Sequence, residues 1–265
     1  MKLEVLISCM HQENLDLVKR SRFTTDVLMI NQTDSELQDT YQDGSRVIRK
    51  FNTMERGLSR SRNMALEHAI GDICLICDDD EIMNDRYEQI IIQAFERLPK
   101  ADIIAFDLKN KATRLRPRVQ RVGRLRSLKL ASYQLALRRE SILLSGVKFD
   151  PLMGSGSGNG AGEENKFLLD CLNHGLNIYY VPQRIGEVCH GPSTWFSGYD
   201  ETFFRQRGSA TRYMLGLIPS VLYGIYYLVA KRRLYRDTIS IRKAAIALFR
   251  GIWQNNIKKS ATGEL

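Results

Sequence analysis

Short apolar runs alternate with amphipathic segments through the first half of this chain. Four of the runs have the length and composition of buried β-strands: "LEVLISC", "DVLMIN", "DICLIC" and "DIIAFDL". Segments between them have helical periodicity, and "LSRSRNMALEHAI" is followed by Gly71, where a helix C-cap is expected. Because strands joined through helices run parallel, the alternation predicts an α/β fold with a mostly parallel central sheet flanked by helices. Ligands bind such sheets at the carboxyl ends of the strands.

Composition restricts the class of protein. The 265 residues are 43% hydrophobic, which suits one globular domain with an appendage and argues against a disordered or fibrous chain. The N-terminal residues lack the pattern of a signal peptide, and the five cysteines lie scattered through strand-like segments. Both features predict a reduced, cytosolic protein. Cys74 and Cys77 have the spacing of a zinc or redox pair, but residues three apart in a strand face opposite sides. We interpret them as buried strand cysteines.

Positive charge is concentrated in two places. The net charge is +9, and residues 201–265 carry twelve Lys and Arg against three acids, which accounts for all of it. A second basic segment, residues 109–129, contains no acid at all. Such a run indicates either a solvated face or mobile loop, or a surface that grips phosphates or an anionic membrane.

Residues 213–230 are uncharged and mostly apolar, with basic residues on both sides. Eighteen residues are the lower limit for a membrane-spanning helix, and Gly216, Pro219 and Gly224 weaken that interpretation. We favour a segment that lies in the cytoplasmic face of a membrane, held by apolar burial and by attraction to anionic lipid. The alternative is a buried helical hairpin that packs on the rest of the protein or on a second subunit.

Three consecutive carboxylates, Asp78, Asp79 and Asp80, follow the apolar run "DICLIC" directly. Carboxylates this crowded repel one another unless a cation lies among them. Asp78 and Asp80 leave the predicted strand as alternate residues, so they can project to one side and offer the hard oxygen ligands that magnesium and manganese prefer. A solvated acidic turn is the alternative interpretation.

A glycine-rich segment, "GSGSGNGAG" at residues 154–162, predicts a mobile loop because alternate glycines suit neither a helix nor a strand. The chain continues as "EENKFLLDCLNHG", an amphipathic helix with Glu163 and Glu164 in its first turn. Two simpler interpretations stay open: the glycine segment is a linker, and the two acids only stabilise the N-terminus of the helix.

The first 200 residues resemble the family 2 glycosyltransferases of the GT-A fold, of the kind found in bacterial surface-polysaccharide synthesis. The resemblance rests on four segments in the order and rough spacing of that family: "GLSRSRNMAL", "GDICLICDDDE", "GSGSGNGAGEENKFLLDCL" and "CHGPSTW". It implies a catalytic GT-A domain over residues 1–200. Residues 201–265 would then be a basic and apolar helical C-terminal extension.

The resemblance also implies the roles of particular residues. Asp78 and Asp80 look like the DXD motif, which binds a nucleotide-sugar diphosphate through Mn²⁺ or Mg²⁺, and His190 matches a histidine that completes this metal site. An acidic pair in this position supplies the base that deprotonates the acceptor hydroxyl, with Glu164 at the base position, where the family more often has Asp, and Glu163 beside it. Further implied residues are those at the nucleotide sugar, Ser8, Asn31, Arg60, Arg62 and Asp79, and those at the acceptor, Gly160, Gly162 and Trp195.

Several of these residues have an ordinary structural interpretation as well. Arg60 and Arg62 suit a diphosphate and equally suit the polar face of a helix. His190 precedes Gly191 and Pro192 and can simply cap a turn. Trp195 can stack on a sugar ring or pack in a core.

The function implied by the resemblance is metal-dependent sugar transfer with inversion at the anomeric carbon. The expected partners are a nucleotide-diphosphate sugar, with a UDP-sugar favoured, and a saccharide acceptor. The basic C-terminal tail, taken alone, favours an acceptor that is lipid-linked, at the inner face of the plasma membrane; self-association stays open. One rival is a non-catalytic protein of the same fold that binds nucleotide sugars. The other is a nucleic-acid-binding protein that uses residues 109–129, but this segment lacks aromatic residues for base stacking, so we expect no nucleic-acid partner.

Overall fold

The computed structural model describes residues 1–111, 113, 115–155, 157, 159, 162–189, 198–255 and 257. These residues belong to two compact units. The first unit contains the residues up to Phe149 and those from Glu164 to Cys189. The second contains the described part of 150–163 and the chain from Gly198 onward. The glycine-rich segment therefore belongs to the same unit as the C-terminal helices.

A ten-stranded sheet forms the centre of the first unit, with the order β3-β4-β2-β1-β5-β9-β7-β10-β6 and β8 paired to β10 in the described part of the chain. Parallel pairs join β1 to β2 and β5, β2 to β4, and β7 to β10, while β3, β6, β8 and β9 pair antiparallel. The predicted α/β fold is confirmed, with a mixed sheet. The strands are β1 (Leu3–Met10), β2 (Asp26–Gln32), β3 (Leu37–Asp43), β4 (Arg46–Thr53), β5 (Ile73–Cys77), β6 (Glu81–Met83), β7 (Ile103–Leu108), β8 (Gln120–Arg121), β9 (Leu135–Arg138) and β10 (Ile178–Val188).

Helices cover both faces of this sheet. Side chains alternate between the faces along each strand, so Leu75 lies in one core cluster and Cys74 and Ile76 in the other. All five cysteines are free thiols, and Cys74 and Cys77 are buried as predicted. The helices are α1 (Asp16–Arg20), α2 (Leu58–His68), α3 (Tyr87–Arg97), α4 (Arg124–Ser127), α5 (Arg139–Ser145) and α6 (Glu163–Asn173), with a 3₁₀ turn at Ser132–Gln134.

Gly71 does not cap helix α2, and the prediction that it would is wrong. The helix ends at His68, and Ala69 already has an extended backbone. Gly71 instead donates its N–H to the buried carboxylate of Glu4 at 2.9 Å. A Cβ at position 71 would lie 2.6 Å from the Cβ of Glu4, so glycine is needed here for close approach to strand β1.

Three further helices build most of the second unit: α7 (Glu201–Leu215), α8 (Leu217–Ala230) and α9 (Ile241–Gln254). The uncharged segment 213–230 is thus interrupted, because Gly216 takes a positive φ of 81° between α7 and α8. No helix among the described residues combines the length and the apolar character needed to cross a membrane.

Candidate active site at the carboxyl edge of the sheet

The parallel strands β1, β2, β4 and β5 end at one edge of the sheet, and polar side chains follow them there. Ser8 and Asn31 are both buried at this edge. The Ser8 hydroxyl accepts a hydrogen bond from Ser61 at 2.9 Å, which ties β1 to helix α2. The Asn31 amide donates to the backbone oxygen of Gln12 and to the Asn52 side chain, at 2.9 and 2.8 Å. Both residues therefore stabilise this edge of the sheet through buried hydrogen bonds.

The Asp78–Asp80 turn leaves strand β5 at the same edge, and its first residue is held from two sides. The Asp78 N–H donates to Glu81 Oε1 at 2.7 Å. Arg62 Nη2 donates to Asp78 Oδ1 at 2.8 Å and to the Ser132 hydroxyl at 2.8 Å. The Arg62 guanidinium also lies 5.5 Å from the ring centroid of Phe149. These contacts fix Asp78 before any ligand arrives.

Arg60 and Arg62 have different surroundings although they lie on one helix. The Arg62 side chain is only 2% exposed and is committed to Asp78, whereas that of Arg60 is 41% exposed and lies 3.7 Å from Glu55. The contacts of Arg62 suit a positioning role for Asp78. Contact of either arginine with a diphosphate stays a prediction.

Negative charge accumulates around the turn. Partial desolvation and the neighbouring Asp78 raise the pKa of Asp79 above its usual range. Burial, followed by the charges of Asp78 and Asp80, raises the pKa of Glu81 well above its usual value. Glu81 is 1% exposed, and its Oε2 atom makes no hydrogen bond to the described residues. The carboxylates therefore destabilise one another's charged forms.

The phenol of Tyr133 lies within the electrostatic reach of these carboxylates. Burial raises the pKa of its phenol to about 12, and the next largest causes are four carboxylates: Glu164, Glu81, Asp78 and Asp80. Glu164 thus acts electrostatically on the same phenol as the aspartate turn, although Glu164 follows Asp80 by more than 80 residues in the sequence.

The donor chemistry of the turn fits a divalent cation. Among the described residues, no group of three or more His, Cys, Asp and Glu side chains could hold a metal ion by itself. Magnesium is commonly held by one or two carboxylates together with phosphate oxygens of the substrate, and the raised pKa values of Asp79 and Glu81 reflect negative charge that such a cation would offset. The turn supplies oxygen ligands of the kind that Mn²⁺ and Mg²⁺ prefer.

Glu163 and Glu164 differ in their contacts. Glu163 is 6% exposed and accepts a hydrogen bond from the Gly162 N–H at 3.1 Å. Its carboxylate also lies beside Gly154, where a Cβ would come within 3.0 Å of it. Glu164 is half-buried and belongs to the unit of the aspartate turn, because the division between the two units falls between these residues.

Three predicted site residues, Gly160, His190 and Trp195, lie outside the described residues. The chain is described up to Cys189, whose N–H donates to the backbone oxygen of Asp80 at 2.7 Å. Gly162 is described, and its φ of 126° belongs to the region that favours glycine. The side chains of Met153 and Met214 lie close to it.

Sequence reasoning missed Glu81, Ser132 and Tyr133. Glu81 was visible as the acid that follows the aspartate triplet, but its burial depends on strand β6 pairing with β10. Ser132 and Tyr133 lie in a single 3₁₀ turn, and one turn leaves no periodic signal in a sequence.

Comparison with known proteins agrees with this architecture. The family model described as "Glycosyl transferase family 2" matches residues 31–149. No curated protein matches the sequence significantly.

Solved structures with this fold include two complexes of residues 1–349 of S. aureus TarS. The complex with UDP-GlcNAc has a TM-score of 0.66 and 13% identity, covering 96% of this chain and 80% of TarS 1–349. The complex with UDP has a TM-score of 0.58 and 14% identity, covering 92% and 77%. The mannosyltransferase PcManGT from Pyrobaculum calidifontis, in complex with GDP-Man and Mn²⁺, has a TM-score of 0.55 and 14% identity, covering 100% and 76%. Residues 31–149 thus match the family 2 glycosyltransferase model, and the chain has the GT-A fold of these solved structures.

Proposed function

We propose that this enzyme is a metal-dependent, inverting glycosyltransferase that moves a sugar from a nucleotide-diphosphate sugar to a hydroxyl acceptor. The observation that carries the proposal is the aspartate turn at the carboxyl edge of the sheet. Arg62 and Glu81 hold Asp78 in place there, and the charges of this turn and of Glu164 act on the same phenol, that of Tyr133. A cation site and a base would then serve one reacting centre.

The donor is a nucleotide sugar, with a UDP-sugar as the first choice. Structures of the same fold are complexes with UDP-GlcNAc and with GDP-Man, which supports the class of donor. Ser8 and Asn31, buried at the ends of β1 and β2, would border the nucleoside, because nucleotides bind α/β sheets at the carboxyl ends of the strands.

Asp78 and Asp80 would hold the divalent cation together with the diphosphate, and His190 would complete the set. The hydrogen bond from the Cys189 N–H to the Asp80 backbone oxygen supports the role of His190, since it ties the preceding residue to the turn. When bound, the cation neutralises the negative charge that develops on the leaving nucleotide.

Glu164 is the proposed base. The acceptor oxygen attacks the anomeric carbon, its proton passes to the Glu164 carboxylate, and the bond from the anomeric carbon to the diphosphate oxygen breaks, so that the nucleoside diphosphate leaves. Single displacement of this kind inverts the anomeric centre. Glu163 is less suited to the role, because its carboxylate is buried and accepts the Gly162 N–H.

The proposed acceptor is a lipid-linked saccharide of cell-surface polysaccharide synthesis, and the proposed location is the cytoplasmic side of the plasma membrane. Both proposals draw on the basic and apolar C-terminal region, in which twelve Lys and Arg face three acids. Such a composition favours contact with anionic lipid.

The test is donor turnover with a panel of nucleotide sugars, with and without Mn²⁺, for wild type and three variants: Asp80→Ala, Glu164→Gln and Glu163→Gln. We expect one donor to be hydrolysed or transferred only with metal. Asp80→Ala should abolish turnover, and Glu164→Gln should lower it about 10²–10⁴-fold, the usual effect of losing a general base. Glu163→Gln is the matched control and should keep most of the activity.

Metal-independent turnover, or a larger loss in Glu163→Gln than in Glu164→Gln, would contradict these assignments. Donor binding without turnover across lipid and saccharide acceptors would instead favour a non-catalytic protein of the same fold. Calorimetric titration of UDP-sugars separates this outcome from a failure to bind any donor.

A further inference from the structure

Helix α8 is apolar on two opposite sides. One side packs within the second unit, where Ser220, Gly224, Tyr227 and Leu228 are buried. Gly224 allows this packing, because a Cβ there would lie 2.6 Å from a methyl group of Leu248 on α9. A helix that is apolar on all sides is normally buried on all sides. The opposite side of α8 is unusual because it is apolar and yet exposed.

That opposite side carries four exposed aliphatic residues, which we call the α8 stripe: Ile218, Leu222, Ile225 and Val229 are 73%, 63%, 49% and 68% exposed. Their spacing of four, three and four residues places them along one line of the helix. Tyr226, 53% exposed, lies next to this line. The α8 stripe is therefore a continuous apolar surface and not a set of isolated residues.

The sequence on both sides of α8 is basic. No acid occurs between Glu201 and Asp237, and α8 is followed directly by Lys231, Arg232 and Arg233. In the described structure, neither Lys231 nor Arg233 forms an ion pair with a carboxylate. Within the described residues, the charges of Lys231 and Arg233 are thus available to an external anion.

Helix α9 has exposed apolar residues and positive charge on the same face. Arg242, Ile246, Arg250 and Trp253 follow each other at spacings of four, four and three residues, and all four are exposed. Trp253 is 73% exposed and Ile246 is 53% exposed. Tryptophan one turn from arginine on an exposed helix face is typical of helices that lie at the boundary of lipid headgroups and acyl chains.

We propose that the outer faces of α8 and α9 bind the surface of a bilayer that contains anionic lipid. The α8 stripe and Trp253 would enter the headgroup region, while Lys231, Arg233 and Arg250 contact lipid phosphates. A second copy of the chain suits these faces less well, because a two-fold contact sets each basic surface against its own equivalent. This inference names the surface by which the enzyme would reach its proposed location. It rests on the proposed function only for the choice of the plasma membrane.

The test is co-sedimentation of the full-length protein with vesicles of phosphatidylcholine alone or mixed with phosphatidylglycerol. We expect binding to the mixed vesicles at low salt and weaker binding at high salt. Leu222→Glu should lower the vesicle partition coefficient about tenfold or more, since it replaces an exposed leucine side chain, which would be buried on membrane binding, by a charge that lipid phosphates repel. Leu144→Glu is the matched control, because Leu144 is 81% exposed in the first unit, and it should bind as wild type does.

Charge is tested separately with Arg250→Glu, which should weaken binding to phosphatidylglycerol vesicles about fivefold or more. Arg118→Glu, an exposed cation of the 109–129 segment, is its control. Absence of vesicle binding at low salt, or equal binding of wild type and Leu222→Glu, would overturn the proposal. So would a stable dimer in analytical ultracentrifugation that Leu222→Glu dissociates.

Donor hydrolysis in lipid-free solution keeps this test distinct from that of the transfer reaction. Leu222→Glu and Arg250→Glu should hydrolyse the donor at the wild-type rate, which shows that both variants are folded. A protein that binds vesicles without any turnover would support the membrane surface and contradict only the proposed reaction.

Discussion

At the scale of single residues, Glu81 is the most constrained group at the candidate site. Its side chain is 1% exposed, one carboxylate oxygen accepts the Asp78 N–H, and the charges of Asp78 and Asp80 act on it more strongly in sum than the opposing charge of Arg62. A buried carboxyl group among like charges favours its neutral form. In the absence of metal, Glu81 therefore holds the turn as a hydrogen-bonding group and adds little charge to it.

A pH dependence of stability follows. Because burial raises the pKa of Glu81 in the folded state well above its ordinary 4.5, the folded protein binds more protons than the unfolded chain between these two values. The free energy of unfolding should thus fall as pH rises from about 4.5 towards the folded-state pKa, by at most about 1.4 kcal/mol per pH unit for one group.

Glu81→Gln isolates this effect, because its amide does not titrate. Urea denaturation of metal-free protein from pH 5 to pH 8 should give similar stabilities at the acidic end and a growing advantage of the variant as pH rises. Parallel stability curves for the two proteins would show that Glu81 is charged in the folded state.

Arg62 and Arg60 offer a second comparison at this scale. Arg62→Ala leaves the partly exposed Asp78 carboxylate without its ion-pair partner and should cost about 1–3 kcal/mol of unfolding free energy. Arg60→Ala removes a half-exposed ion pair with Glu55 and should cost no more than about 1 kcal/mol. Chemical denaturation of both variants measures the difference, and equal losses would contradict the positioning role of Arg62.

At the scale of elements, the second unit depends on glycines where helices touch. A Cβ on Gly208 of α7 would overlap the backbone oxygen of Leu248 on α9, and a Cβ on Gly251 of α9 would overlap that of Arg205 on α7. The backbones of α7 and α9 are therefore in direct contact at these two glycines, with no space for a side chain between them.

Gly208→Ala and Gly251→Ala should each destabilise this helix pair by about 1–3 kcal/mol, because overpacking moves the backbones apart. Gly123→Ala is the control, since no atom lies within 4 Å of the position of its added Cβ. Thermal unfolding followed by circular dichroism tests the comparison. A loss in Gly123→Ala as large as in the other two would show that the effect comes from glycine itself and not from the contact.

Elements with a strong apolar signal could be predicted from the sequence, and those set by pairing could not. Strands β1, β2, β5 and β7 are buried on both sides, so each one is a continuous apolar run. Strand β3 is almost entirely exposed, and β9 has only four residues, so neither rises above the surrounding polar sequence. The aspartate turn was predictable because it follows β5 directly, whereas Ser132 reaches Arg62 across 70 residues of sequence.

At the scale of the whole molecule, segment 150–163 shares a unit with the C-terminal helices. Tyr213 on α7 donates its hydroxyl to Asp150 Oδ2 at 2.6 Å, and Met214 lies against Gly162. These contacts couple the glycine-rich segment to residues that lie 50 or more positions later in the chain.

Removing residues 201–265 should therefore accelerate amide hydrogen exchange at Asp150 and Gly162, because these residues lose the contacts that α7 provides. Exchange in β1 and β5 should stay unchanged, since their contacts lie in the first unit. Tyr213→Phe is the milder control and should accelerate exchange only near Asp150. Unaltered exchange at Asp150 and Gly162 in the truncated protein would show that these two residues are protected without the C-terminal helices.

The place of β9 in the sheet has a consequence for how the protein is made. Strand β9 lies between β5 and β7 although it follows both in the chain, so on the ribosome β5 emerges well before the strand that covers its edge. At a synthesis rate of 5–20 residues per second, that edge stays open for several seconds. Nascent chains paused between residues 78 and 135 thus expose an apolar strand edge, the kind of surface that chaperones shield and that otherwise pairs with another chain.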